Sequence, residues 1–252
     1  MEKYFTINAE KSSVRCKLYA NAPGRAQRAI LFGHGFGGHK DNRAAERFAR
    51  RVLGKNAGVA VVTFDWPCHG DDARKALTLE NCDRYLQLVI DYIRTTLAEG
   101  ELDGYATSFG GYLFLKYLSE HDSPFGKLAL RCPAVNMLDV ITGAIMTDDD
   151  RARLERGKPA QVGFDRKVEI TRDFLDALRE ADIRRRDYTR YTDEILILHG
   201  SKDEIVPMAS VEAFAWDNLL EFVPVEDADH RFCDPAKMDA ANAQIINWFG
   251  LR

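Results

Sequence analysis

The chain predicts an α/β architecture, a mostly parallel sheet with helices on both faces. Three observations carry that expectation. Continuous apolar runs at residues 29–32, 59–64, 128–130 and 195–198 have the character of strands buried on both faces. Stretches with apolar residues at helical spacing lie between them. No Pro/Gly/Ser-rich linker, internal repeat or low-complexity segment divides the 252 residues, which are enough for one large domain with a substantial core. Strands alternating with amphipathic helices are joined most simply as parallel strands with crossover helices.

In chain order, residues 4–8 and 14–19 alternate around a polar turn and read as an opening β-hairpin. After the 29–32 strand, a helix is expected over 43–53, with Asn42 as N-cap. Residues 59–64 form the clearest buried strand. Leu79, Cys82, Leu86, Val89, Ile93 and Leu97 give one face of a long helix. A short, weakly marked strand then leads to Ser108. Tyr112, Leu113, Tyr117 and Leu118 mark a helix after it, with Ser123-Pro124 beyond its end. The last strand is expected at 222–225, at a sheet edge, because Pro224 cannot donate to a ladder. Asp234-Pro235 opens a final helix with Met238, Ala241, Ile245 and Phe249 on one face. Residues 134–191 break the rhythm. They show no good strand and two helical segments, one with Leu138, Ile141 and Ile145, the other with Ile170, Phe174 and Leu178. An insertion this long is usually functional. The expected organisation is a core of residues 1–133 and 192–252 with a helical cap, 134–191, over the strand ends; a peripheral decoration is the alternative.

Composition excludes several classes. With 35 basic and 39 acidic side chains the net charge is -4, which gives no electrostatic case for nucleic acid. The cluster Arg184-Arg185-Arg186 has acidic neighbours and reads as a solvated face. No apolar signal core follows Met1, and no run is long enough to span a membrane, so a cytoplasmic location and no membrane partner are expected. Cys16, Cys68, Cys82, Cys132 and Cys233 are odd in number and form no CxxC, which suits free thiols in a reducing compartment. A monomer or homodimer is expected.

The chemistry centres on Ala106-Thr107-Ser108-Phe109-Gly110-Gly111. A small residue, any residue, Ser, any residue and Gly is the form of a nucleophile elbow, a sharp strand-to-helix turn that exposes the serine. The neighbours must be small because strand and helix backbones pass closely; Ala106 stands where Gly is usual. A serine nucleophile needs a base, an acid to orient the base, and donors for the oxyanion. His230, between the last strand and the last helix, is the candidate base. His34, His69 and His199 each precede a Gly just after a strand, where packing or turn roles fit better. His121 sits at a helix end and His39 in a loop. Asp203, just past the 195–198 strand, is the candidate acid, with Asp139, Asp227 and Asp229 as rivals; Glu204 is expected to point elsewhere. Backbone N–H groups of Phe36 and Phe109 are the candidate oxyanion donors, since Gly33-His34-Gly35-Phe36-Gly37-Gly38 lets backbone approach an acyl group. A phosphate-cradling role for this loop lacks the Lys-Ser/Thr ending such loops carry. Asp65, Cys68 and His69 match no zinc spacing and read as a loop-stabilising network, and no base is placed to make Cys68 a nucleophile. No metal or cofactor is expected.

These motifs, together with Gly200-Ser201-Lys202-Asp203-Glu204-Ile205-Val206-Pro207 and Asp229-His230, make the chain resemble the α/β-hydrolase superfamily over nearly its whole length. Within it the chain looks most like small serine esterases of the cinnamoyl/feruloyl esterase and monoacylglycerol-lipase-like branch. The resemblance implies an α/β-hydrolase fold: a mostly parallel eight-stranded sheet, second strand antiparallel, flanked by helices, with the cap between core strands 6 and 7. It departs at Ala106 and at Asp71, where relatives often carry Ser. The implied activity is hydrolysis of small-molecule carboxylic esters with small to medium acyl or aryl groups. Gly35, Phe36, Leu138 and Ile141 are the expected substrate-binding residues. Peptidase, thioesterase or acyltransferase activity would use the same residues, and a non-catalytic ligand-binding member of the fold is the further alternative.

Overall fold

A computed structural model describes residues 1–10, 12–22, 24–72 and 77–252. Its centre is an eight-stranded sheet built from β1 (Glu2–Ala9), β2 (Ser12–Ala20), β3 (Ala26–Gly33), β4 (Val59–Phe64), β5 (Ala98–Thr107), β6 (Leu128–Arg131), β9 (Ile195–Gly200) and β10 (Glu221–Val225). The spatial order is β1-β2-β4-β3-β5-β6-β9-β10. β2 runs antiparallel to both β1 and β4, and every other pairing is parallel. The opening hairpin, the antiparallel second strand and the edge position of Pro224 on β10 therefore follow the sequence expectation.

Helices α1 (Arg43–Leu53), α2 (Leu79–Tyr92), α3 (Phe109–Glu120) and α7 (Met208–Asp217) connect the strands, and α8 (Pro235–Trp248) follows the last of them. Their starts have chemical causes. Asn42 accepts from the Ala44 and Ala45 N–H groups, and Asp234 from Ala236 ahead of Pro235. The long apolar face of α2 continues through a π turn, Ile93–Leu97, directly into β5. Two apolar clusters form, as a sheet covered on both faces requires. One includes Leu31, Val62, Leu86 and Phe114; the other includes Ile30, Val61, Phe48 and Ile245. Among the described residues no helix is long and apolar enough to cross a membrane.

The segment between β6 and β9 corrects the sequence reading, because it is not purely helical. It holds α4 (Met137–Asp139) with a π turn Val140–Ile145, α5 (Asp148–Glu155), a hairpin of β7 (Ala160–Val162) and β8 (Val168–Ile170), and α6 (Arg172–Glu180). α5 has Leu154 as its main apolar anchor, and a Thr147–Asp150 capping box starts it, so apolar periodicity could not reveal it. β7 and β8 have three residues each, too few for alternation to register, although each does bury its first and third residue. Ile170, assigned to the second helix, ends β8 instead, and Thr171 caps α6 after it.

The 65–71 turn is the network its composition suggests. Asp65, fully buried, accepts from the Lys40 backbone N–H at 2.7 Å and the Asp71 N–H at 3.0 Å, and pairs with the Lys40 ammonium at 3.2 Å. The Lys40 ammonium also reaches Asp71 at 2.5 Å. Removing one partner of a buried pair leaves the other charge without its compensation. Asp65→Ala is expected to lower the unfolding free energy by about 3 kcal/mol in urea titration. A loss below about 1 kcal/mol would mean that Asp71 and Asp41, the latter 3.3 Å from the ammonium, satisfy Lys40.

Candidate active site

β5 ends at Thr107 and α3 begins at Phe109, so the chain reverses its course within Ser108. Ser108 adopts φ 52°, ψ -117°, a conformation rare for a non-glycine residue. Its neighbours hold it there. The Ser108 N–H donates to the Arg131 carbonyl at 3.1 Å, and the Ser108 carbonyl accepts from Ala134 and Tyr112, each at 3.1 Å. A Cβ at Gly110 would lie 2.5 Å from the Gly33 carbonyl oxygen, and one at Gly111 would lie 2.8 Å from Pro133 Cβ. Both glycines are thus required by close approach. Ala106 is accommodated because the residue facing it on β3 is Gly33.

Ser108 Oγ lies 3.0 Å from His230 Nε2, and His230 Nδ1 lies 2.8 Å from Asp203 Oδ2. Asp203 Oδ1 accepts from the Ile205 and Val206 N–H groups at 2.9 and 2.8 Å. Burial raises the Asp203 carboxyl, but hydrogen bonds from His199 and His230, the His230 charge and the Val206 N–H outweigh it. They hold the group well below the usual carboxylate range. An ionised Asp203 can only accept, so His230 Nδ1 carries the proton. In the neutral ring Nε2 then has a lone pair facing the serine hydroxyl.

The rival acids are engaged elsewhere. Asp139 pairs with Arg184 at 3.3 Å and Asp227 with Lys202 at 2.7 Å, while Asp229 accepts from the Cys233 N–H at 2.8 Å. Glu204 accepts from the backbone N–H of His230 at 3.3 Å and so holds the loop, away from the imidazole. Phe36 and Phe109 N–H groups have no acceptor among the described residues. Gly35 lies against the nucleophile, since a Cβ there would be 3.2 Å from Ser108 Cβ. The Phe36 ring packs edge-on to Phe109 and His69, with centroids 5.6 and 5.5 Å apart.

The two expected substrate-binding residues of the insertion fare differently from Gly35 and Phe36. Ile141 is fully buried in the core, which corrects its assignment to a binding surface. Leu138 lines a separate cavity of about 110 Å³ with Tyr112, Asn136 and Leu178. Two features escaped the sequence reading. His199, fully buried, places Nε2 3.2 Å from Asp203 Oδ2 and 2.9 Å from the Val206 carbonyl. The tip of the β7–β8 hairpin spans two loops of the site. The Arg166 carbonyl would meet a Cβ at Gly37 (φ 72°) at 3.1 Å, while Asp165 pairs with Arg231 at 3.2 Å and Phe164 lies under the same guanidinium at 5.5 Å. His199 carried a signal in its place just before Gly200 at a strand end; the hairpin contacts carried none. Cys68, whose thiol is pushed up to about 12 by burial, is no thiolate near neutrality.

The family is settled by a match over residues 30–241 to the alpha/beta hydrolase family, to which the chain belongs. Solved structures share its fold over nearly the full length of both chains. Est1E from Butyrivibrio proteoclasticus is similar at 20% identity and TM-score 0.73, covering 98% of this chain and 99% of that one. A second structure of Est1E holds ferulic acid. A hydrolase from Agrobacterium vitis S4, described there only as putative, is similar at 18% identity and TM-score 0.73, covering 98% of each chain. The esterase domain of a Rhodothermus marinus protein is similar at 18% identity and TM-score 0.70, covering 98% and 97%. No curated protein matches the sequence.

His34 and His69 stand beside the glycine loop, and burial holds both imidazoles at about 3, against an ordinary value of 6.5. A folded-state value depressed below the unfolded one gives stability that is complete above the unfolded value and lost as pH falls through the folded one. The melting temperature is therefore expected to fall from 6.5 down to about 3 as these rings are forced to charge. His69→Asn should flatten that descent in melts recorded at a series of pH values. An unchanged slope would assign acid unfolding to other groups.

Proposed function

We propose that the protein is a serine hydrolase of carboxylic esters with small to medium acyl or aryl groups. The observation that carries this reading is the continuous array from Ser108 Oγ through His230 to an ionised Asp203, at 3.0 and 2.8 Å. The hydrolase family and esterases among its structural relatives support it, as does the ferulic acid held by Est1E.

In this mechanism His230 Nε2 takes the Ser108 proton as Oγ attacks the ester carbonyl. Asp203 keeps the proton on Nδ1 and stabilises the imidazolium that forms. The Phe36 and Phe109 N–H groups receive the charge that develops on the carbonyl oxygen, a contribution of roughly 3 kcal/mol per donor. His230 returns its proton to the departing alcohol. Water, activated by the same imidazole, then releases the acyl group from Ser108. Gly35 and Phe36 form the wall against which the acyl or aryl group lies. Every step uses side chains and backbone of this chain, so the reading requires no cofactor or metal. All five cysteines are free, which suits the cytoplasm as its place of work.

Hydrolysis of p-nitrophenyl esters from acetate to longer chains tests the reading. Activity is expected in the wild type, and Ser108→Ala should lower kcat about 10⁴-fold or more. A fluorophosphonate probe should label the wild type and not the variant. Full activity in Ser108→Ala would overturn the mechanism. Labelling without hydrolysis of any ester would move the reading to a peptidase, thioesterase or acyltransferase.

Asp203→Asn gives a second test. It should lower kcat by roughly 10⁴ with little change in KM, because an amide no longer selects the productive tautomer. Loss in KM alone would remove Asp203 from the mechanism.

A further inference from the structure

Between the glycine loop, the 68–70 turn and the β7–β8 hairpin lies a cleft of about 240 Å³. Gly37, Gly38, Cys68, His69, Gly70, Arg166, Lys167 and Val168 line it. Its charge is one-sided. Arg166 has no ion-pair partner among the described residues, and the Lys167 ammonium donates to the Gly163 carbonyl of its own turn. Among the described residues no carboxylate lines the cleft. Of the hairpin acids, Asp165 pairs with Arg231, while Glu169 accepts from Gln161 and its charge acts on Cys68 of the cleft wall. The Arg166 backbone lies against Gly37 of the glycine loop, and its charge lowers both His34 and His39. His69 is neutral, with Nδ1 donating to the Pro67 carbonyl at 2.7 Å, so it adds no competing charge. Two cations without carboxylate partners therefore border a cleft in a chain whose net charge is -4.

The glycine loop links the cleft wall to Ser108. Gly35 touches the serine, and Gly37 on the cleft wall is two residues further, at most ~7.6 Å along the backbone. The volume falls below the roughly 300–1,000 Å³ that encloses a drug-sized ligand, so the occupant is short. A short chain with one end at Ser108 and an anionic far end meets both constraints.

We propose that this cleft binds the terminal carboxylate of a short acyl group, so that half-esters of small dicarboxylic acids are the favoured substrates. This rests on the ester-hydrolase reading and names its substrate class. Arg166 is the primary anion partner through charge-assisted hydrogen bonds, with Lys167 adding a second positive charge.

The test compares monomethyl glutarate with methyl pentanoate, an uncharged ester of similar length, in the wild type, Arg166→Ala, Arg166→Lys and Lys167→Ala. The wild type should favour the charged ester in kcat/KM by about tenfold or more. Arg166→Ala should collapse that ratio, mainly through KM; Arg166→Lys should keep part of it, and raised salt should narrow it. A wild-type preference for methyl pentanoate, or a ratio unmoved by either alanine variant, would overturn the proposal while leaving the hydrolase reading intact. If neither ester is cleaved and the fluorophosphonate probe fails to label, the hydrolase reading falls. Calorimetry with glutarate then decides the cleft alone: binding lost in Arg166→Ala supports an anion site, and no binding to the wild type removes it.

A separate observation carries a second inference. The geometry points to His199 as a positioning residue for Asp203. Its Nε2 faces two acceptors, Asp203 Oδ2 at 3.2 Å and the Val206 carbonyl at 2.9 Å, so Nε2 must carry the proton. Its Nδ1 is buried without a partner, a cost that a ring kept only for packing would not need to bear. The N–H donates to the Val206 carbonyl and stands 3.2 Å from Oδ2, so it adds positive partial charge beside the oxygen that His230 also uses. Without it, the Oδ2 charge falls more fully on His230 and stabilises the imidazolium. His199→Leu should lower kcat more than it raises KM, and should move the acid limb of the kcat/KM–pH profile to higher pH. His199→Gln, which retains an N–H donor, should restore most of both. Equal losses in the two variants with no movement of the limb would leave His199 a purely structural residue. If His199→Leu does not fold, a His199→Gln profile displaced from the wild type would count against the role.

Discussion

The backbone of Ser108 is the constraint on which the remaining geometry depends. A side-chain-bearing residue at φ 52° costs of order 1–3 kcal/mol and persists only where its surroundings over-determine it. Here β5 and α3 are both buried and leave a single residue in which to turn. A hydrogen bond to the Arg131 carbonyl and hydrogen bonds from Ala134 and Tyr112 then fix both sides of its peptide units. The same closeness explains Gly33, Gly110 and Gly111, whose absent Cβ atoms let the helix start lie on the ends of β3 and β6. Relaxing the turn would withdraw Oγ from His230 and separate Phe109 from the glycine loop, so one dihedral governs both relations.

Charge is distributed around that turn in a consistent way. Asp203 is a buried anion surrounded by donors: two backbone N–H groups on one oxygen and two imidazoles on the other. The buried imidazoles of His34 and His69 are kept neutral by desolvation and spend their Nδ1 atoms on backbone carbonyls. Among the described residues, the imidazole held against both an ionised carboxylate and the serine hydroxyl is therefore His230. Its selectivity comes from partner geometry, since three other buried histidines lie near the same strand ends without that combination.

Legibility in the sequence followed the length and regularity of each element. The buried strands at 59–64 and 195–200 and the capped helices could be read because burial on both faces leaves unbroken apolar runs. β5 was faint because its first residues, from Glu99 to Glu101, are exposed and polar. In the insertion the signal failed for physical reasons. α5 is held by a capping box, and β7 and β8 are too short to show a period. Asp203 and His230 were legible because each follows a legible strand, and Ser108 because the small residues around it mark the turn even where β5 is faint. Ile141 was misassigned because an apolar residue on a helix face reads the same whether it meets core or substrate. His199 was passed over because a histidine before Gly at a strand end ordinarily packs; only the fold shows which carboxylate it packs against.

The hairpin tip joins these threads. It touches the glycine loop at Gly37 and the His230 loop at Arg231, so one short turn bears on both the proposed oxyanion donors and the proposed base. Its ties are of unequal strength. The Gly37 contact is backbone against a left-handed glycine, which no larger residue could match without strain. The Arg231–Asp165 pair is largely exposed, with Asp165 at 86%, and such pairs contribute little. The tip thus meets the glycine loop through backbone at Gly37, and the histidine loop through the Asp165 and Phe164 side chains at Arg231, so the two sides of the site are bridged by different chemistry.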